Sequence, residues 1–121
     1  MAKKLFVTGT GTDVGKTYVT GLILKKLHQS GETAAYYKAA MSGNDRGPDG
    51  TLYPGDALRV KELSGIPQPV EEMCPYVYEQ AVSPHLAARW EGRPVQAEVV
   101  YAGFARLCAA YSGACGGAAC R

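Results

Sequence analysis

The chain has 121 residues, 46% of them hydrophobic, enough for one small domain with a core but short for a doubly wound nucleotide enzyme. Its 13 basic and 11 acidic residues are interspersed and leave a formal net charge of +2, which excludes the basic stripe of a nucleic-acid binder and points to small-molecule partners. No stretch approaches a membrane span and Met1-Ala2-Lys3-Lys4 does not open a secretory signal, so no membrane association and a cytoplasmic address are expected. Cys74, Cys108, Cys115 and Cys120, with His28 and His85 far from one another, match no zinc spacing and are read as reduced thiols without a metal.

In chain order, Leu5, Phe6 and Val7 form a short apolar strand, followed by Thr8-Gly9-Thr10-Gly11-Thr12-Asp13-Val14-Gly15-Lys16-Thr17. Glycines 9, 11 and 15 carry no Cβ, so the backbone can turn consecutive N–H groups into one concave space at the start of a helix. That is the requirement of a polyphosphate cradle. Lys16 adds a point charge for the β- and γ-phosphates, and the Thr17 hydroxyl is placed to ligate a bridging Mg²⁺. Five residues separate Gly9 from Gly15, one more than in the usual phosphate loop.

A helix is predicted from Gly15 to about Ser30, with Val19, Leu22, Ile23 and Leu27 on its buried stripe and Gly31 as its left-handed stop. Thr33 to Tyr37 reads as a second strand, and strand, helix, strand predicts a right-handed parallel unit. Lys38 then falls at the carboxyl end of the sheet, where ligands sit in such folds. Ala39 to Gly55 reads as a lid or substrate loop, with residues 42–50 too polar for the core. Asp56 opens a helix that Ser64-Gly65 ends, and by position it reads as a helix cap. Ile66-Pro67-Gln68-Pro69 is a stiff connector, and Met73 to Tyr78 an edge strand. Ser83 and Pro84 start a helix from His85 to Glu91 that stops at Gly92; His85 there is read as a local hydrogen-bonding group. From Pro94 a last helix, carrying Val95, Val99, Ala102, Gly103 and Leu107 toward a core, ends near Tyr111. The stretch after it has no Val, Ile, Leu or aromatic residue, so no buried parallel strand is expected there.

Taken together, these pieces resemble the dethiobiotin synthetases, ATP-dependent enzymes of biotin synthesis. The resemblance rests on the long-spaced loop from Val7 to Thr17, on Tyr37-Lys38 followed by Ser42-Gly43, on Gly55-Asp56-Ala57, and on Ser83-Pro84-His85 with Glu91-Gly92-Arg93-Pro94. It implies a phosphate-loop NTPase-like α/β fold, a parallel sheet with flanking helices, truncated after the N-terminal half. Residues 1–111 are then the N-terminal part of an ATP-dependent synthetase domain, and residues 112–121 an aberrant tail. The resemblance implies ring closure of 7,8-diaminononanoate with CO₂ to dethiobiotin, through a carbamate that ATP phosphorylates.

By the same resemblance Lys16 and Lys38 are the catalytic cations, Lys16 bridging the γ-phosphate and the carbamate and Lys38 holding the carbamate. Ser42, Thr12 and Asp13 meet the substrate. Thr12, Asp13, Val14, Gly15, Lys16, Thr17 and Tyr18, with Asp56, line the site for ATP and Mg²⁺. Thr17 and Asp56 ligate the metal, which replaces the cap reading of Asp56. Intact members of the family are expected to be homodimers. Two departures stand out. Ala39 replaces a proline common after the lysine, and the family's later strand ending in Glu-Gly-Ala-Gly-Gly, with the adenine-binding segment, has no counterpart. A frame shift or truncation would account for the tail. The 121 residues alone are expected to be an inactive fragment, molten or aggregating because the sheet lacks its central strand. A reading of another class is a nucleotide-dependent regulatory ATPase or switch, which would need neither Lys38 nor Ser42.

Overall fold

The computed structural model describes residues 5–7, 14–111 and 113–117. Its elements are β1 (Leu5–Val7), α1 (Val14–Gln29), β2 (Ala34–Tyr37), β3 (Ala40–Met41), α2 (Gly55–Ser64), β4 (Tyr76–Val77), α3 (Pro84–Trp90), α4 (Ala97–Ala110) and β5 (Gly113–Gly117). β1, β5 and β2 form a parallel sheet in that order, and β3 pairs in parallel with β4. The expected α/β class and parallel β1–α1–β2 unit are present, with one strand inserted between β1 and β2.

That inserted strand corrects the expectation for the tail. β5 pairs on one side with β1, Leu5 opposite Cys115 and Val7 opposite Gly117, and on the other with β2, Ala34 opposite Gly113 and Tyr37 opposite Gly116. A parallel ladder is built from main-chain N–H and C=O groups, which glycine and alanine supply as well as valine does. Apolar side chains add packing to a central strand; their absence from the sequence did not prevent pairing.

β2 is the best buried strand, all four residues lying inside. Its alternation sends Ala34 and Tyr36 into a core with Leu24 of α1, Ala57 and Val60 of α2, Ile66 and Met73, and sends Ala35 and Tyr37 against Leu107 of α4. Helices therefore cover both faces of this strand. Tyr36 N–H donates to Gln68 Oε1 (2.7 Å) and Gln68 Nε2 donates back to the Tyr36 carbonyl (3.0 Å). On the side of β2 away from β5, the Gln68 amide, fully buried, takes the place of another strand.

Two helix faces differ from the sequence expectation. In α1, Val19 and Leu22 are 48% and 42% exposed, while Thr17, Thr20 and Leu24 are buried. Thr20 turns inward because its hydroxyl donates to the Lys16 carbonyl (2.8 Å) within the helix, leaving its methyl to pack. Gly21 lies on the same inner side, where a Cβ would stand 2.9 Å from Leu63, so glycine permits the close approach of α1 and α2. Val95, before the start of α4, and Val99 within it point outward, and the packing face is Val100, Phe104 and the expected Leu107, with Tyr111 at the helix end. Gly103 of that face abuts the Tyr37 hydroxyl, which donates to the Val100 carbonyl (2.8 Å).

The stops were legible. Gly31, Gly65 and Gly92 all carry positive φ, at 89°, 72° and 68°. Ser83 caps α3, accepting from Leu86 N–H, with Pro84 in the first turn.

Candidate active site

Val7 and Tyr37, the last residues of β1 and β2, stand opposite adjacent residues of β5, Gly117 and Gly116. Both strands therefore end at one edge of the sheet. From β1 the chain leads through residues 8–13, outside the described residues, into α1; the expected substrate contacts Thr12 and Asp13 lie in that stretch. The first turns of α1 carry Val14, Gly15, Lys16, Thr17 and Tyr18: Gly15 is exposed, Lys16 half-buried, Thr17 buried and Tyr18 exposed.

Directly after β2 comes Lys38. Its backbone N–H donates to the Met73 carbonyl (2.8 Å), which fixes the residue on the next segment, and its side chain is only 13% exposed. The ammonium lies 2.7 Å from Asp56 Oδ2, whose side chain is 46% exposed. Asp56 is the second residue of α2. Pro54 holds the N-cap position with no side-chain cap bond, so Asp56 is not the cap its position suggested; its carboxylate faces Lys38 at the positive end of the helix. The Cys74 thiol, 7% exposed, donates to the Tyr76 carbonyl (3.1 Å). Burial pushes it up to about 12, with Lys38 opposing and Asp56 reinforcing the rise, so it remains a neutral filler.

Ser42, half-buried, follows β3 directly. The next residues are pinned: Gly43 N–H donates to the Gln80 carbonyl (2.9 Å), and Asn44 is buried at 7% exposure. This corrects the expectation that residues 42–50 were too polar for the core. Asn44 is accommodated because both ends of its amide are bonded, to Tyr78 and Gly55. The Glu91-Gly92-Arg93 segment forms a latch. Glu91 accepts from the N–H groups of Gln80 (3.0 Å) and Glu79 (2.9 Å), and the Gln80 bond leads the effects that hold its carboxyl below the usual range. Arg93 stacks 4.9 Å above the Tyr78 ring and donates to the Val77 carbonyl (2.6 Å).

Of the expected site residues, the structure brings Lys38 and Asp56 into direct contact. Asn44, Gln68 and Cys74 were missed as parts of this surround; the partners Tyr78 of Asn44 and Tyr36 of Gln68 lie 34 and 32 residues away. Among the described residues no three His, Cys, Asp or Glu side chains gather as a metal site. The donors expected for Mg²⁺, one hydroxyl and one carboxylate, nonetheless suit an ion that prefers hard oxygen ligands and completes its shell with water and phosphate. Among the described residues no helix is long and apolar enough to cross a membrane.

A family model described as an AAA domain matches residues 3–110. The chain is 43% identical over 111 residues to the ATP-dependent dethiobiotin synthetase BioD of Clostridium novyi, covering 88% of this chain and 44% of that protein. It is 49% identical over 89 residues to BioD of Clostridium botulinum strain ATCC 19397, covering 74% and 39%. With BioD of Brachyspira hyodysenteriae the identity is 46% over 100 residues, covering 83% and 43%. The chain thus spans less than half the length of these curated relatives. It belongs to the AAA-domain family, and within it is a homologue, over that part of their length, of the dethiobiotin synthetases.

Proposed function

We propose that this chain forms the phosphate- and carbamate-handling part of an ATP-dependent dethiobiotin synthetase. The observation that carries the reading is the Lys38–Asp56 pair, 2.7 Å apart, beside the carboxyl edge of a parallel sheet, where ligands bind in such folds. In the proposed reaction 7,8-diaminononanoate takes up CO₂ on one amine to give a carbamate. A carbamate oxygen attacks the γ-phosphorus of ATP and ADP leaves. The second amine then attacks the carbonyl carbon, phosphate departs with the C–O bond, and loss of a proton leaves the cyclic urea.

Each reacting species is an anion or develops negative charge, so the protein's task is placement of positive charge and donors. Lys38, little exposed and already oriented by Asp56, would hold the carbamate oxygens, and its shielding from water strengthens that attraction. Lys16 would sit between the γ-phosphate and the carbamate, and Ser42 would donate to the substrate, with Thr12 and Asp13 meeting its amines. Gly15, Thr17 and the neighbouring Val14 and Tyr18 would border the nucleotide. Mg²⁺, held by Thr17 and Asp56 together with phosphate oxygens and water, would neutralise charge on the β- and γ-phosphates.

Calorimetric titration of the chain with ATP, with and without Mg²⁺, tests this. Saturable binding is expected, with the magnesium-dependent gain weakened roughly tenfold, about 1.4 kcal/mol, in Asp56→Asn or Thr17→Ala. An absence of saturable binding would remove the reading from this chain.

A further inference from the structure

We propose that Asn44 is a positioning residue: by clasping the first peptide of α2 to Tyr78, just past β4, it sets where the Asp56 carboxylate stands against Lys38. Its Nδ2 donates to the Tyr78 carbonyl (2.8 Å), its Oδ1 accepts from Gly55 N–H (3.0 Å), and its own N–H donates to the same Tyr78 carbonyl (3.2 Å). Gly55 is the first residue of α2 and Asp56 the second. Pro54, at the N-cap, offers no side-chain bond, so the cap of this helix arrives from Asn44, eleven residues upstream.

The other end of the clasp is firm. Tyr78 is fully buried; its N–H donates to the Met41 carbonyl (2.7 Å) and its hydroxyl to the Arg93 carbonyl. A rigid strand end is thereby linked through one amide to the peptide next to the carboxylate. Asparagine is suited to this because it donates and accepts at once; aspartate would lose the donor and alanine both arms. Asn44's part in turnover rests on the reading of Lys38 and Asp56 given above.

The test follows the Lys38 ammonium by ¹⁵N–¹H NMR in the full chain, where an ordered ion pair slows hydrogen exchange at Nζ. Its cross-peak is assigned by its loss in Lys38→Met. Asn44→Ala is expected to speed that exchange roughly fivefold or more, the effect of losing about one hydrogen bond's worth of ordering. Gly55→Pro, which replaces that N–H with a ring carbon at a position where the first helical turn accepts proline, breaks the same bond and should do the same. Gly55→Ala keeps the N–H and adds a Cβ at an ordinary 3.8 Å from Asn44 Oδ1, and should leave the peak unchanged. Leu107→Ala, which weakens the core on the other face of β2, should lower stability without moving the peak. An unchanged Lys38 peak in Asn44→Ala and Gly55→Pro, or an equal change in Leu107→Ala, would overturn the assignment. Failure of the unsubstituted chain to bind Mg-ATP would instead remove the functional reading, leaving the cross-peak to decide Asn44.

Discussion

The region around β2, α2 and β4 and the region formed by the outer sides of α1 and α4 are held together differently. In the first, buried polar groups are tied in pairs. Gln68 bonds the side of β2 away from β5, Asn44 joins Tyr78, just past β4, to α2, and Ser64 donates to the Val60 carbonyl (2.7 Å). Among the described residues no buried side-chain nitrogen or oxygen lacks a partner. In the second, apolar residues face outward: Tyr18, Val19 and Leu22 on α1, and Trp90, Val95, Val99 and Tyr101 from α3 to α4, Tyr101 at 73% exposure. The difference teaches that the candidate site and the exposed apolar side chains lie in separate parts of the molecule. Lys38 and Asp56 lie in the tied region, where their geometry is set by hydrogen bonds rather than by the apolar outer faces.

The sharpest way to break this comparison is at β5, the glycine-rich strand shared by β1 and β2. Gly116→Pro should cost about 3 kcal/mol or more, because a central strand cannot spare a ladder N–H; chemical denaturation measures it, and an unaffected midpoint would show that β5 does not hold the sheet. The next effect compares two leucines of one helix. Leu24→Ala should cost about 3 kcal/mol through cavity formation, while Leu22→Ala should change stability by less than about 0.5 kcal/mol. Equal effects would erase the distinction between the inner and outer sides of α1.

Gln68→Ala should cost about 2 kcal/mol by removing both Gln68 bonds to the Tyr36 peptide groups. Its signature is faster amide exchange at Tyr36, with little change in α4. The smallest effect near neutral pH belongs to Cys74. Because its folded-state value is raised to about 12 from an ordinary 9.0, the folded chain keeps a proton that the unfolded chain releases. Its contribution to stability is whole below pH 9 and declines as pH rises toward 12. A Cys74→Ser chain should show a flatter alkaline decline, and in the native protein Cys74 should be alkylated far more slowly than half-buried Cys108; comparable labelling rates would contradict its burial.

Local signals made much of this fold legible. Gly31, Gly65 and Gly92 were readable as stops because a left-handed backbone excludes most other residues, and Ser83-Pro84 because a cap and a first-turn proline act within one turn. The position of Lys38 directly after β2 was readable from the strand pattern before it. What escaped notice depends on partners distant in the chain. Gln68 looked like part of a stiff connector, yet its partner Tyr36 lies 32 residues away; Asn44 looked like loop filler, yet Tyr78 lies 34 residues away. On α1, Ile23 and Leu27 pack against the core as expected, but Val19 and Leu22 do not, and Thr20 escaped notice because it hides its hydroxyl within the helix. β5 was dismissed because side-chain hydropathy carries no information about main-chain pairing. For Lys38 and Asp56 the sequence pointed to one end of the sheet but not to their contact, which depends on where α2 begins.

The proposal that Lys38, poised by Asp56, receives a carbamate is tested most directly by carbon NMR of the chain mixed with 7,8-diaminononanoate and ¹³C-bicarbonate. The expected result is a protein-bound carbamate resonance that disappears in Lys38→Met while the melting curve stays the same. A bound carbamate signal of equal intensity with and without the Lys38 ammonium would contradict it.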